Sequence, residues 1–195
     1  MKAVAVSQRV DAWPERGETR DALDQRLNVW LVAAGYLPYP VPNGLPQTVL
    51  AQWLAWLKPG GVILSGGNDI GTINERDSTE AMMLDYAAQY ALPLLGLCRG
   101  MQMLAQHAAM PLITVDDHVR TRHLLHGEIQ GEVNSYHNLG VADCPQGYRV
   151  LARSADGGIE AIQHNHLPWD GWMWHPERET PFREADGQRL KSLFG

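Results

Sequence analysis

A short apolar run that leads directly into a helical pattern, residues 92–104, constrains the fold of this chain more than any other stretch. The run is bounded by Pro93 and ends at Gly96, which is typical of a buried parallel strand. The apolar residues after Cys98 then recur at helical spacing. Cys98 is therefore predicted to lie on a strand-to-helix turn, where side chains point outward at the carboxyl edge of a sheet.

The surroundings of this turn suit Cys98 to be a nucleophile. Gly96 and Gly100 lack the Cβ atoms that would crowd a close approach of strand and helix. The helix predicted to begin at Arg99 points free backbone N–H groups at the thiol, which lowers a thiol pKa and can hold an oxyanion. The alternative is that Cys98 is a small buried residue, as free cysteines often are. Partners elsewhere in the chain have to decide between the two.

Such partners lie near the end of the chain. An apolar segment runs into His175, and Glu177 follows two residues later. A histidine at a strand end can act as a base toward a thiol, and a carboxylate can orient its imidazole. We therefore take Cys98, His175 and Glu177 as the candidate catalytic residues.

Taken together, residues 96–102 (GLCRGMQ) and 174–177 (WHPE) resemble the class I glutamine amidotransferases, within their gamma-glutamyl hydrolase branch. Residues 64–70, Arg76 to Glu80 and residues 133–137 match in the same order. Several motifs in the right order are far less probable by chance than any one of them. The resemblance spans nearly the whole chain.

The resemblance implies roles for further residues. Gly67 would present its backbone N–H to the developing oxyanion, together with Arg99, and Gln102 would lie near the glutamyl group. Without the resemblance, Gln102 is an ordinary helix-surface amide and residues 135–137 are a polar strand end. The loop implied to hold the amino and carboxylate groups of the substrate comprises Ser135, Tyr136 and His137.

The implied reaction is hydrolysis of a γ-glutamyl amide through a γ-glutamyl thioester, with release of glutamate and an amine or amidate. Some relatives release a nitrogen from a nucleotide-linked amidate for surface polysaccharide synthesis. One alternative is a glutaminase subunit that delivers ammonia to a separate synthase. Two others are a binding module without activity, against which the intact Cys98, His175 and Glu177 argue, and a chaperone-like deglycase, in which residues 174–177 are not expected.

Composition narrows the class of protein. A chain of 195 residues suits one α/β domain, residues 1–195. A net charge of −6 predicts no surface for nucleic acid or anionic membranes. With no signal-peptide core, no membrane span and only Cys98 and Cys144, we expect a cytoplasmic protein without a disulfide framework. We expect a small γ-glutamyl substrate and no cofactor, and leave a synthase partner or a homo-oligomer open.

The predicted fold is α/β, with a mostly parallel central sheet flanked by helices, the strand-turn-helix that bears Cys98, and a C-terminal antiparallel portion. Residues 37–41 contain prolines that suit an edge strand. A helix is expected to open at Asp77, with Glu80 completing a capping box. The expected strands are residues 3–6, 61–64, 110–115, 128–133, 148–153, 159–163 and 169–174, and the other helices are residues 21–34, 45–57 and 184–194.

One further segment, residues 116–127, is predicted to be a loop near the site. Its basic and titratable side chains resemble a zinc site only in composition, because no strand or helix that would aim them is evident. We therefore predict no metal here, and favour a contact between Arg120 or Arg122 and an anionic substrate. The side chains concerned are His118, Arg120, Arg122, His123 and His126.

Overall fold

The computed structural model of the protein describes all residues from Met1 to Gly195. Thirteen strands and five α-helices make up the regular structure. The strands are β1 (Lys2–Val6), β2 (Arg9–Trp13), β3 (Glu18–Ala22), β4 (Tyr36–Pro40), β5 (Val62–Leu64), β6 (Leu94–Leu97), β7 (Leu112–Thr114), β8 (Val119–Gly127), β9 (Gly131–Tyr136), β10 (Leu139–Val141), β11 (Tyr148–Arg153), β12 (Ile159–His164) and β13 (Trp169–Trp172). The helices are α1 (Gln25–Ala34), α2 (Gln47–Leu57), α3 (Asn74–Gln89), α4 (Arg99–His107) and α5 (Glu184–Phe194).

Nine strands form the main sheet, in the order β4-β1-β5-β6-β13-β12-β11-β8-β9. The five strands from β4 to β13 pair in parallel, and the four from β12 to β9 continue the sheet antiparallel. The predicted α/β fold is confirmed, as is the edge strand predicted at residues 37–41, which the structure places at residues 36–40. Because β13 lies beside β6, the residues after both strands reach the same edge.

Two hydrophobic cores cover the two faces of this sheet. Alternate strand residues enter opposite cores: Val4 and Val6 pack with α1 and α5, whereas Ala5 between them packs with α2, α3 and α4. This alternation follows from the two-residue repeat of a strand, and burial on both faces explains the continuous apolar runs. None of the helices combines the length and apolar character required to cross a lipid bilayer.

Three local predictions are wrong. Helix α3 begins at Asn74, with Ile73 as its N-cap and no side-chain cap, so Asp77 and Glu80 do not form a capping box. Residues 119–127 form the long strand β8 rather than a loop, paired with β9 and β11. The helix predicted over residues 21–34 begins only at Gln25, because residues 18–22 form β3, which pairs with β2 in a separate hairpin.

Candidate active site

Cys98 lies on a sharp turn between β6 and α4. Its φ of 51° and ψ of −104° fall in a region that side-chain-bearing residues rarely occupy, which is a form of strain found at functional sites. Added Cβ atoms would lie 2.5 Å from the Gly100 carbonyl carbon at Gly96, and 2.2 Å from the Leu64 carbonyl oxygen at Gly100. Only glycines therefore allow helix and strands to approach closely enough to form this turn.

His175 follows β13, and β13 lies beside β6, the strand that precedes Cys98. The Cys98 N–H donates to the Trp172 carbonyl at 2.7 Å, which ties the two strand ends together. The His175 Nδ1 lies 2.7 Å from Glu177 Oε1, and the Cys98 side chain is near enough to the imidazole to raise its pKa. Cys98, His175 and Glu177 are 7%, 3% and 4% exposed, so the three groups are nearly enclosed.

The charge balance of His175 favours the imidazolium. Burial by itself lowers the pKa of this group, but the neighbouring Glu177 carboxylate, with a contribution from Cys98, raises its pKa to about 9. A proton on His175 is stabilised by the adjacent Glu177 carboxylate. This arrangement suits the storage of a thiol proton on the imidazole.

Sequence reasoning missed Asn134, which fixes the backbone of His175. Its side-chain oxygen accepts from the His175 N–H at 2.9 Å and its amide donates to the His175 carbonyl at 2.8 Å. The resemblance includes residues 133–137, but no pattern in the chain assigned Asn134 a partner. The two hydrogen bonds hold the segment that carries the imidazole against β9.

The glycine turn after β5 borders the same place. An added Cβ at Gly66 would lie 2.7 Å from His175 Cε1, so the absence of a side chain leaves room for the imidazole. Gly67 has a φ of 121° and lies against Arg76 and Arg9, whose side chains would collide with a Cβ. Both glycines are thus required by their neighbours, and the turn carries the Gly67 N–H predicted to meet an oxyanion.

A buried ionic network holds this glycine turn. Arg76 donates to the carbonyls of Ser65 at 2.7 Å and Gly66 at 2.9 Å, and its Nε lies 3.0 Å from Glu80 Oε1. Glu80 also pairs with Arg99, whose Nε donates to the Asn68 carbonyl at 2.7 Å. Two fully buried guanidinium groups are thereby aimed at backbone oxygens. The carboxylate of Glu80 links the turn to the start of α4.

The predicted substrate-binding residues lie in different surroundings. Gln102 is buried, and its amide donates to the Leu139 carbonyl at 2.8 Å. Ser135 is also buried and donates to the His118 carbonyl at 2.7 Å. The Tyr136 ring packs edge-on against His175, with centroids 5.8 Å apart, and is 40% exposed. Ser135 and Tyr136 lie at the end of β9 rather than in the predicted loop, and of the three predicted residues Tyr136 is the one whose side chain contacts His175.

The His137 side chain packs against His118. Its ring is 5% exposed and lies 4.7 Å, centroid to centroid, from the ring of His118. Contact between this ring and a glutamyl group would require another side-chain orientation. Arg122, predicted to meet an anionic substrate, instead forms ion pairs with Glu132 and Glu179.

A cavity of about 260 Å³ opens beside the candidate site. His175, Gly66 and Gly67 form one wall, and the β2–β3 hairpin contributes Arg9 and Asp11 on another side. Arg9 is half-exposed and already paired with Asp11. The cavity therefore offers polar groups of both signs next to the imidazole.

The raised pKa of His175 predicts a pH dependence of stability. A folded-state pKa of about 9, above the ordinary 6.5, means that the imidazolium stabilises the fold fully below about pH 6.5 and ceases to do so as the pH rises through about 9. The Glu177→Gln variant loses the largest favourable influence on this proton. We expect its melting temperature to lie below that of the wild type at about pH 6 and to approach it at about pH 10. Thermal denaturation across this range tests the prediction, and a difference independent of pH would contradict it.

Comparison with known proteins relates this geometry to a family. The sequence model of the family described as glutamine amidotransferase class-I matches residues 31–186. The gamma-glutamyl-CDP-amidate hydrolase of Campylobacter jejuni is 32% identical over 139 residues, which cover 68% of each chain. The glutamine-hydrolyzing GMP synthase subunit of Thermococcus kodakarensis is 31% identical over 145 residues, 68% of this chain and 74% of that one.

A solved structure from Thermoplasma acidophilum, described as a subunit of GMP synthase, superposes on the whole chain. The TM-score is 0.74, the two sequences are 19% identical, and the match covers 93% of the Thermoplasma acidophilum chain. At this identity the likeness concerns the fold. It agrees with the mostly parallel sheet and flanking helices described above.

Proposed function

Because the chain belongs to the class-I glutamine amidotransferase family, we propose that it is a cysteine-dependent hydrolase that cleaves γ-glutamyl amide bonds through a γ-glutamyl thioester. The observation that carries the proposal is the meeting of Cys98 and His175 at the ends of adjacent parallel strands, with Glu177 on the far side of the imidazole. A nucleophile, a base and an orienting carboxylate in this relation are the requirements of acyl transfer.

In the proposed mechanism, His175 takes the proton of Cys98, and the thiolate attacks the δ-carbonyl carbon of the substrate. The oxyanion is held by the backbone N–H groups of Gly67 and Arg99, each of which accounts for about 10²–10³ in rate when such donors are removed in other enzymes. His175 returns the proton to the departing nitrogen. Water then attacks the thioester, and glutamate leaves with Cys98 regenerated.

The leaving group is proposed to occupy the cavity beside His175. Its polar walls of both signs, including Arg9 and Asp11, suit a polar amine or amidate better than an apolar one. The name of the Campylobacter jejuni relative supports a nucleotide-linked amidate as one substrate class. A thiol nucleophile suits the reducing cytoplasm, where we expect the enzyme to work.

The second candidate function is a glutaminase subunit that supplies ammonia to a synthase, and the likeness to the Thermococcus kodakarensis protein favours it. Both functions share the same thioester. They differ in whether glutamine alone is hydrolysed, and in whether a separate synthase raises that rate. A docked synthase is therefore the partner proposed for the second function only.

A panel of γ-glutamyl amides tests the two functions. Purified protein is offered glutamine, a γ-glutamyl alkylamide and a γ-glutamyl amide of a nucleoside diphosphate amidate, and glutamate release is measured. We expect release from an amide with a large polar leaving group to exceed release from glutamine. Hydrolysis of glutamine alone favours the glutaminase function, and absence of glutamate from every substrate would refute the proposed hydrolase.

Gly66→Ala should impair the reaction by displacing the imidazole. The new Cβ would lie 2.7 Å from His175 Cε1, so the imidazole must move, and a misplacement approaching 1 Å costs about 10²-fold in rate. Gly60→Ala is the matched control, because its Cβ meets only ordinary contacts at 3.5 Å with Lys2. Measured kcat/KM should fall about 10²-fold for Gly66→Ala alone. Equal rates for the two variants would contradict the expected crowding.

A further inference from the structure

Three histidines and a glutamate, none of them among the three candidate catalytic residues, converge between the β8–β9 hairpin and β12. One ligand atom from each of His118, His123, His137 and Glu160 lies within 4.8 Å of all the others. His118, His137 and Glu160 are 2%, 5% and 1% exposed, and His123 is half-buried. Such a group of buried bases around one point requires a physical explanation.

The outward hydrogen bonds determine where the ring protons lie. His118 Nε2 lies 2.8 Å from Asp156 Oδ2, and this hydrogen bond holds the pKa of Asp156 well below its usual range. His137 Nδ1 lies 3.1 Å from the Leu139 carbonyl. An ionised carboxylate and a carbonyl can only accept, so both of these ring nitrogens carry hydrogen. In neutral rings the other two nitrogens, His118 Nδ1 and His137 Nε2, then carry lone pairs and no hydrogen.

These lone pairs face one another with no donor between them. His118 Nδ1 and His137 Nε2 are 3.2 Å apart, and Glu160 Oε1 lies 3.3 Å from the first and 3.5 Å from the second. Neither oxygen of Glu160 has a hydrogen-bond partner, and neither does the buried Nε2 of His123. A buried carboxylate without a partner is costly. A cation at the centre would satisfy all four groups.

We propose that His118, His123, His137 and Glu160 bind a Zn²⁺ ion. Histidine nitrogen and carboxylate oxygen are typical zinc ligands, and tetrahedral bonds of about 2.1 Å place ligand atoms about 3.4 Å apart. The three separations among His118, His137 and Glu160 are close to this value. Asp156 and the Leu139 carbonyl take the ring protons on the outside, as the supporting partners of metal-bound histidines do.

A proton explains the cluster less well than a metal. One added proton can join His118 to His137 or to Glu160, but it leaves His123 Nε2 and the second Glu160 oxygen without partners. A divalent ion attracts all four ligand atoms at once. The prediction of no metal in residues 116–127 is thus revised, because β8 aims His123, and two of the four ligands lie outside that segment.

The ion would position a segment rather than catalyse. It would join the ends of the β8–β9 hairpin to Glu160 on β12, and Ser135 donates to the His118 carbonyl just beside it. Tyr136, between Ser135 and His137, packs on His175. A zinc ion here would hold the Tyr136 segment against the imidazole. The site itself uses none of the three candidate catalytic residues, so its existence does not depend on the proposed function.

Zinc binding is tested on the untagged chain. Protein dialysed against a chelator and then against buffer receives Zn²⁺ alone, and bound metal is measured by elemental analysis and by competition with a chromophoric chelator. We expect one equivalent per chain and a melting temperature about 5–10 °C higher at a zinc concentration about 100-fold above Kd. Less than about a tenth of an equivalent retained by the wild type would overturn the proposal.

Variants locate the ion. We expect His137→Ala and the isosteric Glu160→Gln to weaken binding at least about 100-fold, and Asp156→Asn to weaken it about 10–100-fold. His126 is exposed and lies on β8 with His123, so His126→Ala is the matched control and should bind zinc as the wild type does. If His137→Ala fails to fold, Glu160→Gln decides. Undiminished zinc binding by Glu160→Gln, or equal loss in His126→Ala, would refute the assignment.

Discussion

Cys98→Ala is expected to lower the rate of γ-glutamyl hydrolysis by about 10⁴-fold or more, while the protein remains folded. Removal of the nucleophile from an acyl-transfer site leaves only the rate supplied by the oxyanion donors and by binding, so the loss approaches that of the whole catalytic group. Alanine keeps the Cβ at the strained turn, and the cysteine is small, so the backbone of residues 96–100 should persist. Steady-state release of glutamate measures the loss, and circular dichroism verifies the fold.

The chain offers its own control for this substitution. Cys144 is half-buried, and burial, the largest influence, raises the pKa of its thiol, so it should be unreactive. Cys144→Ala should keep the wild-type rate. Acid-quenched wild-type enzyme should also carry a glutamyl adduct on the peptide that contains Cys98. Activity that survives in Cys98→Ala, or an adduct on another peptide, would exclude the thioester mechanism.

The elements that the sequence predicted well are those with strong local periodicity. The strands around Val4 and Ile63 are apolar because both sheet faces are covered, and α5 repeats its apolar residues at helical spacing, with Leu190 and Phe194 buried. The turn at Cys98 was predictable because glycines on both sides have a steric cause. Local pattern, not long-range contact, carried these predictions.

Long-range pairing explains what the sequence did not predict. Strand β8 exposes most of its residues and is interrupted at Arg120, which has a φ of 57°, so no alternation marks it as a strand. Its pairing with β9 and β11 fixes it instead. Glu80 looked like a capping residue because it lies three positions after Asp77. Its partners are two arginines and Ser7, and nothing in the spacing shows that they meet.

Glu80→Gln is expected to have the largest effect on stability. Glu80 is fully buried, accepts from Ser7 at 2.7 Å and pairs with Arg76 and Arg99, which are also buried. Burial lowers the pKa of Arg76, and the charge of Glu80 opposes this effect. A neutral amide keeps the shape of the side chain but leaves the guanidinium charges without their shared counterion. Breaking a buried pair in this way costs about 3–5 kcal/mol.

For a chain of this length, such a loss lowers the melting temperature by about 10 °C. Glu75→Gln is the matched control, because it makes the same change on the exposed face of the same helix and should shift the melting temperature by about 1–2 °C at most. The network also holds Ser65, Gly66 and Asn68 through their backbone carbonyls, so the folded fraction of Glu80→Gln should hydrolyse γ-glutamyl amides more slowly as well. Calorimetry of both variants measures the change in melting temperature, and glutamate release by the folded protein measures the change in rate. Equal melting temperatures for Glu80→Gln and Glu75→Gln would mean that this carboxylate does not hold the glycine turn.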